Sequence, residues 1–332
     1  MKTNLFNRIF LVAILVIAAF IPMIFGIYYS NVIVLFAIFA LYAVSYNLLL
    51  GYAGLLSFGH AMFFGGGAYA TALVLTHIPG FPLLLALLTG GLAAVVLALI
   101  VSPLLVRVSG TAFAMLTLAF GQLLYVICLK YREITGGEDG VGGFPIPSFN
   151  IPGIVSIDMT DPLKYYYFAI IVIVLSLFII WFFTKTPFGQ IIVSIRDNAN
   201  RVDYLGFKVP HSKAIIFIVS GFFAGISGAL YAMLQDLVST DGALTVYMSF
   251  FPIMMAFIGG IGSYFGPVYG AAIMTIIDEV ASAYTERFEL VTGIIFILVV
   301  MFAPMGFSGF LDYVKTKWSA RSSYQSIVEE VP

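Results

Sequence analysis

The sequence predicts an all-α integral membrane protein of about ten transmembrane helices, and three observations carry that reading. Hydrophobic residues make up 61% of the chain and charged residues 9%, against about 25% charged in an ordinary soluble domain, so polar groups are too few to cover a soluble surface. The apolar residues come in continuous runs, such as LVAILVIAAFIPMIFGI and FAIIVIVLSLFIIWFF, not in the alternation of a membrane β-barrel strand. Lysine and arginine are also unevenly shared between alternate connections, as the positive-inside rule requires.

About 20 apolar residues cross a bilayer, and the runs that meet this are, in order, 9–28, 32–50, 57–76, 82–106, 111–130, 164–184, 214–234, 246–261, 266–284 and 289–308. The first follows Lys2 and Arg8 and has no small-x-small cleavage pattern after it, so it reads as an uncleaved span, not a signal peptide. The eighth is short, and the ninth is punctuated by Gly266, Pro267 and Gly270. With the N-terminus in the cytoplasm, the inner side holds Lys2, Arg8, Arg107, Lys185, Arg196, Arg201, Lys208, Lys213, Lys315, Lys317 and Arg321. The outer side holds Lys130, Arg132, Lys164 and Arg287. An odd number of spans would strand Lys315, Lys317 and Arg321 outside, so both termini are expected inside. The expected organisation is a transmembrane domain over 1–310, with an external loop at 131–163 rich in Gly, Pro and acids, a cytoplasmic loop at 185–213, and a polar cytoplasmic tail at 311–332.

Several function classes find no support. A net charge of −1 gives no pull toward nucleic acid. Cys128 is the single cysteine, which excludes an internal disulfide, and no two of the three histidines share a metal-ligand spacing. There is no G-x-x-x-x-G-K-[ST] phosphate loop, no nucleophile–base set and no intramembrane run of acids. Asp278, Glu279, Glu286 and Glu289 read as solvated charges at an outer helix end, so the chain is not expected to be an enzyme. Active transport through it would draw its energy from another subunit; a self-sufficient channel or ion-coupled carrier is the competing class.

The stretch GYAGLLSFGHAMFFGGGAYATALVL (51–75) concentrates glycines in an apolar segment, although each costs about 0.8–1.0 kcal/mol against alanine inside a helix. GGIGSYFGPVYGAAIMT (259–275) echoes it, with a Gly-Ser-Gly cluster at the cytoplasmic start of another outward-running span, which suggests a weak internal repeat. Gly59, Gly66 and Ala70 in one, and Gly262, Gly266 and Gly270 in the other, fall near helical spacing and offer surfaces where backbones can approach. The second reading is that the helices break there and free backbone groups toward a cavity. Alanine is expected to be tolerated better than leucine at Gly59 and Gly266, and His60 reads as packed or hydrogen-bonded at a helix start.

The cytoplasmic loop holds an amphipathic helix over 190–205. Ile192, Ile195, Ala199 and Val202, widened by Ile191 and Leu205, form one stripe, while Arg196, Asp197, Asn200, Arg201 and Asp203 lie off it. Gly206 can stop this helix and Pro210 blocks its continuation. The stripe is expected to seat in a groove on a soluble partner, with Arg196, Asp197 and Arg201 at the rim.

These segments are similar to a known family. GYAGLLSFGHAMFFGGGAYATALV and IGGIGSYFGPVYGAAI resemble the two signatures of permeases in ABC importers for branched-chain amino acids. RVSGTAFAMLTLAFGQLL with EITGGEDGVGGFP resembles the longer of the two paralogous permeases, and IIVSIRDNANRVDYLGFKV with FIVSGFFAGISGALYA resembles its coupling loop and the following span. The likeness covers roughly residues 30–310, with its motifs in the family's order. It implies a paralogous permease partner, two ATP-binding cassette ATPases that bind the ATP, an extracytoplasmic substrate-binding protein, a prokaryotic cell membrane, and no cofactor or metal in this chain. The glycine-interrupted spans put the expected substrate pathway at Asn47, Gly54, Ser57, Gly59, His60, Gly260, Gly262, Ser263 and Gly266. ATPase coupling falls to Ile192, Ile195, Arg196, Asp197, Arg201, Tyr204 and Gly206. Branched-chain amino acids are the expected cargo; urea-type importers use closely similar permeases.

Overall fold

The computed structural model describes residues 2–151, 155–285, 287–302 and 306–309. The tail at 311–332, with Lys315, Lys317 and Arg321, lies outside the described residues, as does Glu286. A backbone in hydrocarbon must satisfy its own hydrogen bonds, and the described chain is accordingly mostly helix. Its elements are α1 (Lys2–Asn47), continuing as a π-helical turn at Leu48–Tyr52, then α2 (Ala61–His77), α3 (Leu83–Leu105), α4 (Thr111–Lys130) and α5 (Arg132–Thr135). Strands β1 (Val141–Gly142), β2 (Phe149–Ile151) and β3 (Val155–Ile157) precede α6 (Pro162–Lys185), α7 (Pro187–Tyr204) and α8 (Val209–Gln235). The chain ends through β4 (Leu237–Val238), α9 (Thr240–Ala243), α10 (Val246–Gly259), α11 (Gly266–Tyr284) and α12 (Phe288–Phe302).

Among the described residues, 7 helices are long and apolar enough to cross a membrane, and they carry the expected spans 32–50, 82–106, 111–130, 164–184, 214–234, 246–261 and 289–308. The expected gap between 9–28 and 32–50 is instead a break at Gly26, whose φ of +80° suits glycine, inside an otherwise continuous α1. The expected span 57–76 starts late, at Ala61, because residues 53–60 are not helical. Its helix, α2, has 17 residues and is therefore about 26 Å long, less than the roughly 30 Å of a hydrocarbon core.

Helix α8 is the hub. Ser220, Gly221, Phe223 and most residues to Met233 are buried on it, and α1, α2 and α3 pack around it. Glycine makes this possible. A Cβ on Gly67 would sit 2.6 Å from the Gly225 Cα, and one on Gly225 would sit 2.5 Å from the Gly90 oxygen, so α2, α8 and α3 meet backbone to backbone. Hydroxyls bind the layers to one another: Ser220 Oγ donates to the Ser45 oxygen at 2.6 Å, Tyr42 to Met248 at 3.0 Å and Tyr165 to Leu230 at 2.6 Å. Helices α10 and α11 pack closely together and lean on α1.

The segment 131–163 carries short strands. β1 pairs antiparallel with β4, Val141 facing Val238, and β2 and β3 form a hairpin with Phe149 opposite Ile157. This strand end of the bundle is opposite the end that carries α7, since α6 runs from one to the other.

Candidate functional site

The first glycine-rich segment is a broken helix. After the π-helical turn, the Leu55 amide reaches back to the Leu49 oxygen at 2.8 Å, and the chain then loses regular helical bonding until Ala61. Amides freed by the break are taken up by side chains of other elements. Ser57 N–H donates to the Tyr46 hydroxyl at 3.3 Å, Phe58 N–H to Thr117 Oγ1 at 3.1 Å and Ala61 N–H to Ser249 Oγ at 3.1 Å. These acceptors stand on α1, α4 and α10, so three helices hold the loop in place. Thr117 and Ser249 are single polar residues between apolar neighbours, and that isolation, which favours an interhelical bond in hydrocarbon, is the signal the sequence offers for them.

The second glycine-rich segment is broken in the same way. Gly260 and Gly262 have φ of 109° and 86°, and helix resumes only at Gly266, whose amide donates to Ser263 Oγ at 2.8 Å. The proposed helical spacings therefore hold only in part: Gly59 precedes α2 and Gly262 precedes α11, so neither belongs to a helical small-residue stripe. Gly59 packs on the α4 backbone at Thr117. Gly266 and Gly270 do form the α10–α11 seam, since a Cβ on Gly270 would lie 2.6 Å from the Met255 carbonyl carbon.

The two broken segments meet. Asn47 Nδ2 donates to the Ser263 oxygen at 3.0 Å, and a Cβ on Gly51 would come within 3.0 Å of the Gly262 amide. Asn47, Ser57 and His60 are at most 1% exposed, and Asn47 Oδ1, Ser57 Oγ and His60 Nδ1 find no hydrogen-bond partner among the described residues. The His60 ring is stacked on Tyr42 at 5.4 Å, faces Tyr46 and Phe63 edge-on, and its Nε2 lies 3.3 Å from Ser45 Oγ. It is a packed histidine at the start of α2, as its position suggested.

Helix α7 stands at the same end, and its orientation corrects the sequence reading. Ile192, Ile195 and Val202 are 1%, 3% and 4% exposed, because α7 lies against α6, α8 and the π-helical turn of its own chain. Ile192, Ile195 and Val202 of the apolar stripe are thus covered by the chain itself, while Leu205 at its edge is not. Nor is the helix continuous. Asn198 has φ −159° and ψ 94°, and its Oδ1 accepts from the Arg201 amide at 3.0 Å, an N-cap that starts a second short helix. Gly206, at φ +89°, ends it with the Phe207 amide on the Val202 oxygen at 3.3 Å, as expected of a glycine stop. Pro210 falls in the first turn of α8, where its missing N–H does no harm. The turn between these helices leaves Tyr204, Leu205 and Phe207 exposed at 91%, 71% and 43%; Asp197 and Arg201 are also at the surface.

A cavity of about 410 Å³ lies at the strand end, lined by Leu75, Ile78, Phe81, Leu84, Pro147 and Phe149 among others. None of the pathway candidates borders it. Asp278, read as a solvated end charge, instead accepts from Thr292 Oγ1 at 2.9 Å and ties α11 to α12.

Comparison with known proteins gives a consistent result. The family described as branched-chain amino acid transport system, permease component, matches residues 28–301. The high-affinity branched-chain amino acid transport system permease protein LivM of Escherichia coli K12 is 28% identical over 319 residues, covering 90% of this chain and 74% of that protein. The probable branched-chain amino acid transport permease protein LivH of Methanocaldococcus jannaschii is 26% identical over 69% of this chain and 73% of its own length. The guanosine ABC transporter permease protein NupQ of Bacillus subtilis is 34% identical over 38% of this chain and 39% of its own. No solved structure matches.

Proposed function

The chain belongs to the family of branched-chain amino acid transport permeases, the membrane subunits of ABC importers, and from that premise we propose how it works. It forms half of a translocation pathway, with a paralogous permease as the other half. Two ATP-binding cassette ATPases bind the ATP and engage the α7 end, and an extracytoplasmic substrate-binding protein delivers solute at the strand end. Ten crossings, with α1 counted as two on either side of its Gly26 break and α2 and α11 each entered through an irregular segment, would put both termini in the cytoplasm, in keeping with the eleven-to-four division of the lysines and arginines between the two sides.

One observation carries this reading: both broken-helix loops and α7 converge at one end of the bundle. Discontinuous helices are where transporters handle solute, because irregular backbone survives at membrane depth only when buried in protein or facing a cavity. The unpartnered polar atoms of Asn47, Ser57 and His60 mark the first loop as the place where a polar solute or its water finds hydrogen bonds as the pathway opens. Ile192 and Ile195 then transmit force inward to the spans, and the exposed turn at Tyr204–Phe207 meets the ATPase. The cargo is a branched-chain amino acid, the solute named for the Escherichia coli and Methanocaldococcus relatives.

The test is competition. In proteoliposomes holding the complete complex, unlabelled isoleucine and valine are expected to suppress labelled leucine uptake at least tenfold at 100-fold excess, and urea at the same excess to leave it unchanged. Suppression by urea with no effect of valine would assign the complex to short amides.

A further inference from the structure

We propose that Arg196 is a strut that couples α7 to both glycine loops, so that movement of α7 reaches the pathway through one guanidinium. This rests on the reading of the chain as an ATP-driven permease and names the residue through which the drive passes. Arg196 Nη1 donates to the Gly51 oxygen at 2.5 Å. That carbonyl belongs to the last turn of the helix ending at Tyr52, where carbonyls lack intrahelical partners and the helix end attracts a cation. The other edge of the guanidinium is fixed: Nε and Nη2 donate to Asp197 Oδ1 at 3.1 and 3.0 Å.

The side-chain stem lies across Gly54. A Cβ there would come 2.8 Å from Arg196 Cγ, so the stem needs glycine beneath it. Beyond the guanidinium lies the second loop, where a Cβ on Gly262 would be 3.9 Å from Nη1. Asn47 and Gly51 already hold that loop against the first. Arg196 thus bonds the first loop directly and the second through it, and it does so from the segment of α7 that precedes the Asn198 break, with the exposed turn at the end of the segment that follows. Only a forked cation holds Asp197 and the Gly51 carbonyl together; a lysine has one nitrogen for both. An ion pair with the adjacent Asp197 alone, side chains 38% and 64% exposed, would contribute little. The contact that matters is the one to Gly51.

Arg196 is a positioning residue, and the reconstituted complex tests it. The readout is leucine transported per ATP hydrolysed. Arg196→Ala is expected to lower this ratio at least tenfold and Arg196→Lys at least threefold, with ATPase co-purification and basal hydrolysis within twofold of the parent complex. Equal losses of uptake, hydrolysis and co-purification would overturn the strut and leave the permease reading standing. Absence of ATP-dependent uptake in the parent complex would overturn that reading and the strut with it. A second arm does not depend on how Arg196→Ala folds. A Cβ built on Gly54 would lie 3.7 Å from the Arg196 Cβ, within disulfide range, although the φ of +67° at Gly54 strains any side chain placed there. The pair Gly54→Cys with Arg196→Cys, in a Cys128→Ala background, is expected to cross-link on oxidation and to recover the ratio, and to lose it again in reductant. Failure to cross-link, or cross-linking without recovery, overturns the proposal.

Discussion

Gly59→Ala is expected to cut the yield of folded, monodisperse protein about tenfold and to abolish uptake, while Gly66→Ala leaves both near the parent level. Both glycines lie in the same motif, and they differ in what a methyl group would meet. At Gly59 it would overlap the Thr117 carbonyl oxygen and come 2.5 Å from its carbon. That backbone belongs to α4 and has no rotamer to change. Separating the two also pulls Thr117 Oγ1 from the Phe58 amide that depends on it. Overpacking typically costs about 1–3 kcal/mol, and stranding a buried donor about 1–3 kcal/mol more, against a total of about 5–15 kcal/mol. At Gly66 the methyl meets Leu97 Cδ1 at 2.5 Å, the far tip of a flexible side chain, and alanine in that helix returns about 0.8–1.0 kcal/mol. Gel-filtration yield and melting temperature in detergent read the difference. Parent-level yield and melting for Gly59→Ala would show that loop and α4 do not pack this closely. The sequence ranks alanine above leucine at Gly59, and contact with main chain makes even alanine costly there.

Substitution in the exposed turn is expected to break ATPase association without harming the permease itself. Tyr204→Ala and Leu205→Asp should each weaken ATPase co-purification at least tenfold, with the melting temperature of the isolated subunit unchanged. Exposed aromatic anchors of this kind dominate binding energy, often about 2 kcal/mol or more each, which is some thirtyfold in affinity. Ile195→Asp should do the reverse. It buries a carboxylate among α6, α8 and the π-helical turn, and burial of an unpaired charge destabilises the fold directly. Its expected signature is a lowered melting temperature of the permease alone. Should Tyr204→Ala and Leu205→Asp both retain the ATPases at parent levels, the docking surface lies elsewhere at this end.

Much of this architecture was legible in the residues, and the exceptions have physical causes. Long apolar runs fix helices in hydrocarbon whatever their neighbours, so spans such as 82–106 and 164–184 came out within a few residues of α3 and α6. Gly206 as a stop was legible because its requirement is local. The break at 53–60 was not, because what stabilises it is distant: Thr117 and Ser249 supply acceptors from α4 and α10. Amphipathicity located α7, yet periodicity states only that one face is apolar; whether the chain or a partner covers that face is a tertiary fact, and here Ile192 and Ile195 face home. Asn198 is a good N-cap residue by type, yet it lies within a continuous amphipathic pattern, and nothing local in the sequence marks the break there. The strut was invisible for the same reason as the loop, since 145 residues separate Arg196 from Gly51.

The most direct measurement is the initial rate of labelled leucine uptake by proteoliposomes containing the permease pair, the ATPases and the binding protein, compared with vesicles given a non-hydrolysable ATP analogue and with vesicles lacking the ATPases. Import driven through the α7 end predicts concentrative uptake with hydrolysable ATP alone and background rates in the other two. Leucine flux down its gradient at a similar rate without the ATPases would make the chain a self-sufficient channel and contradict ATP-driven transport.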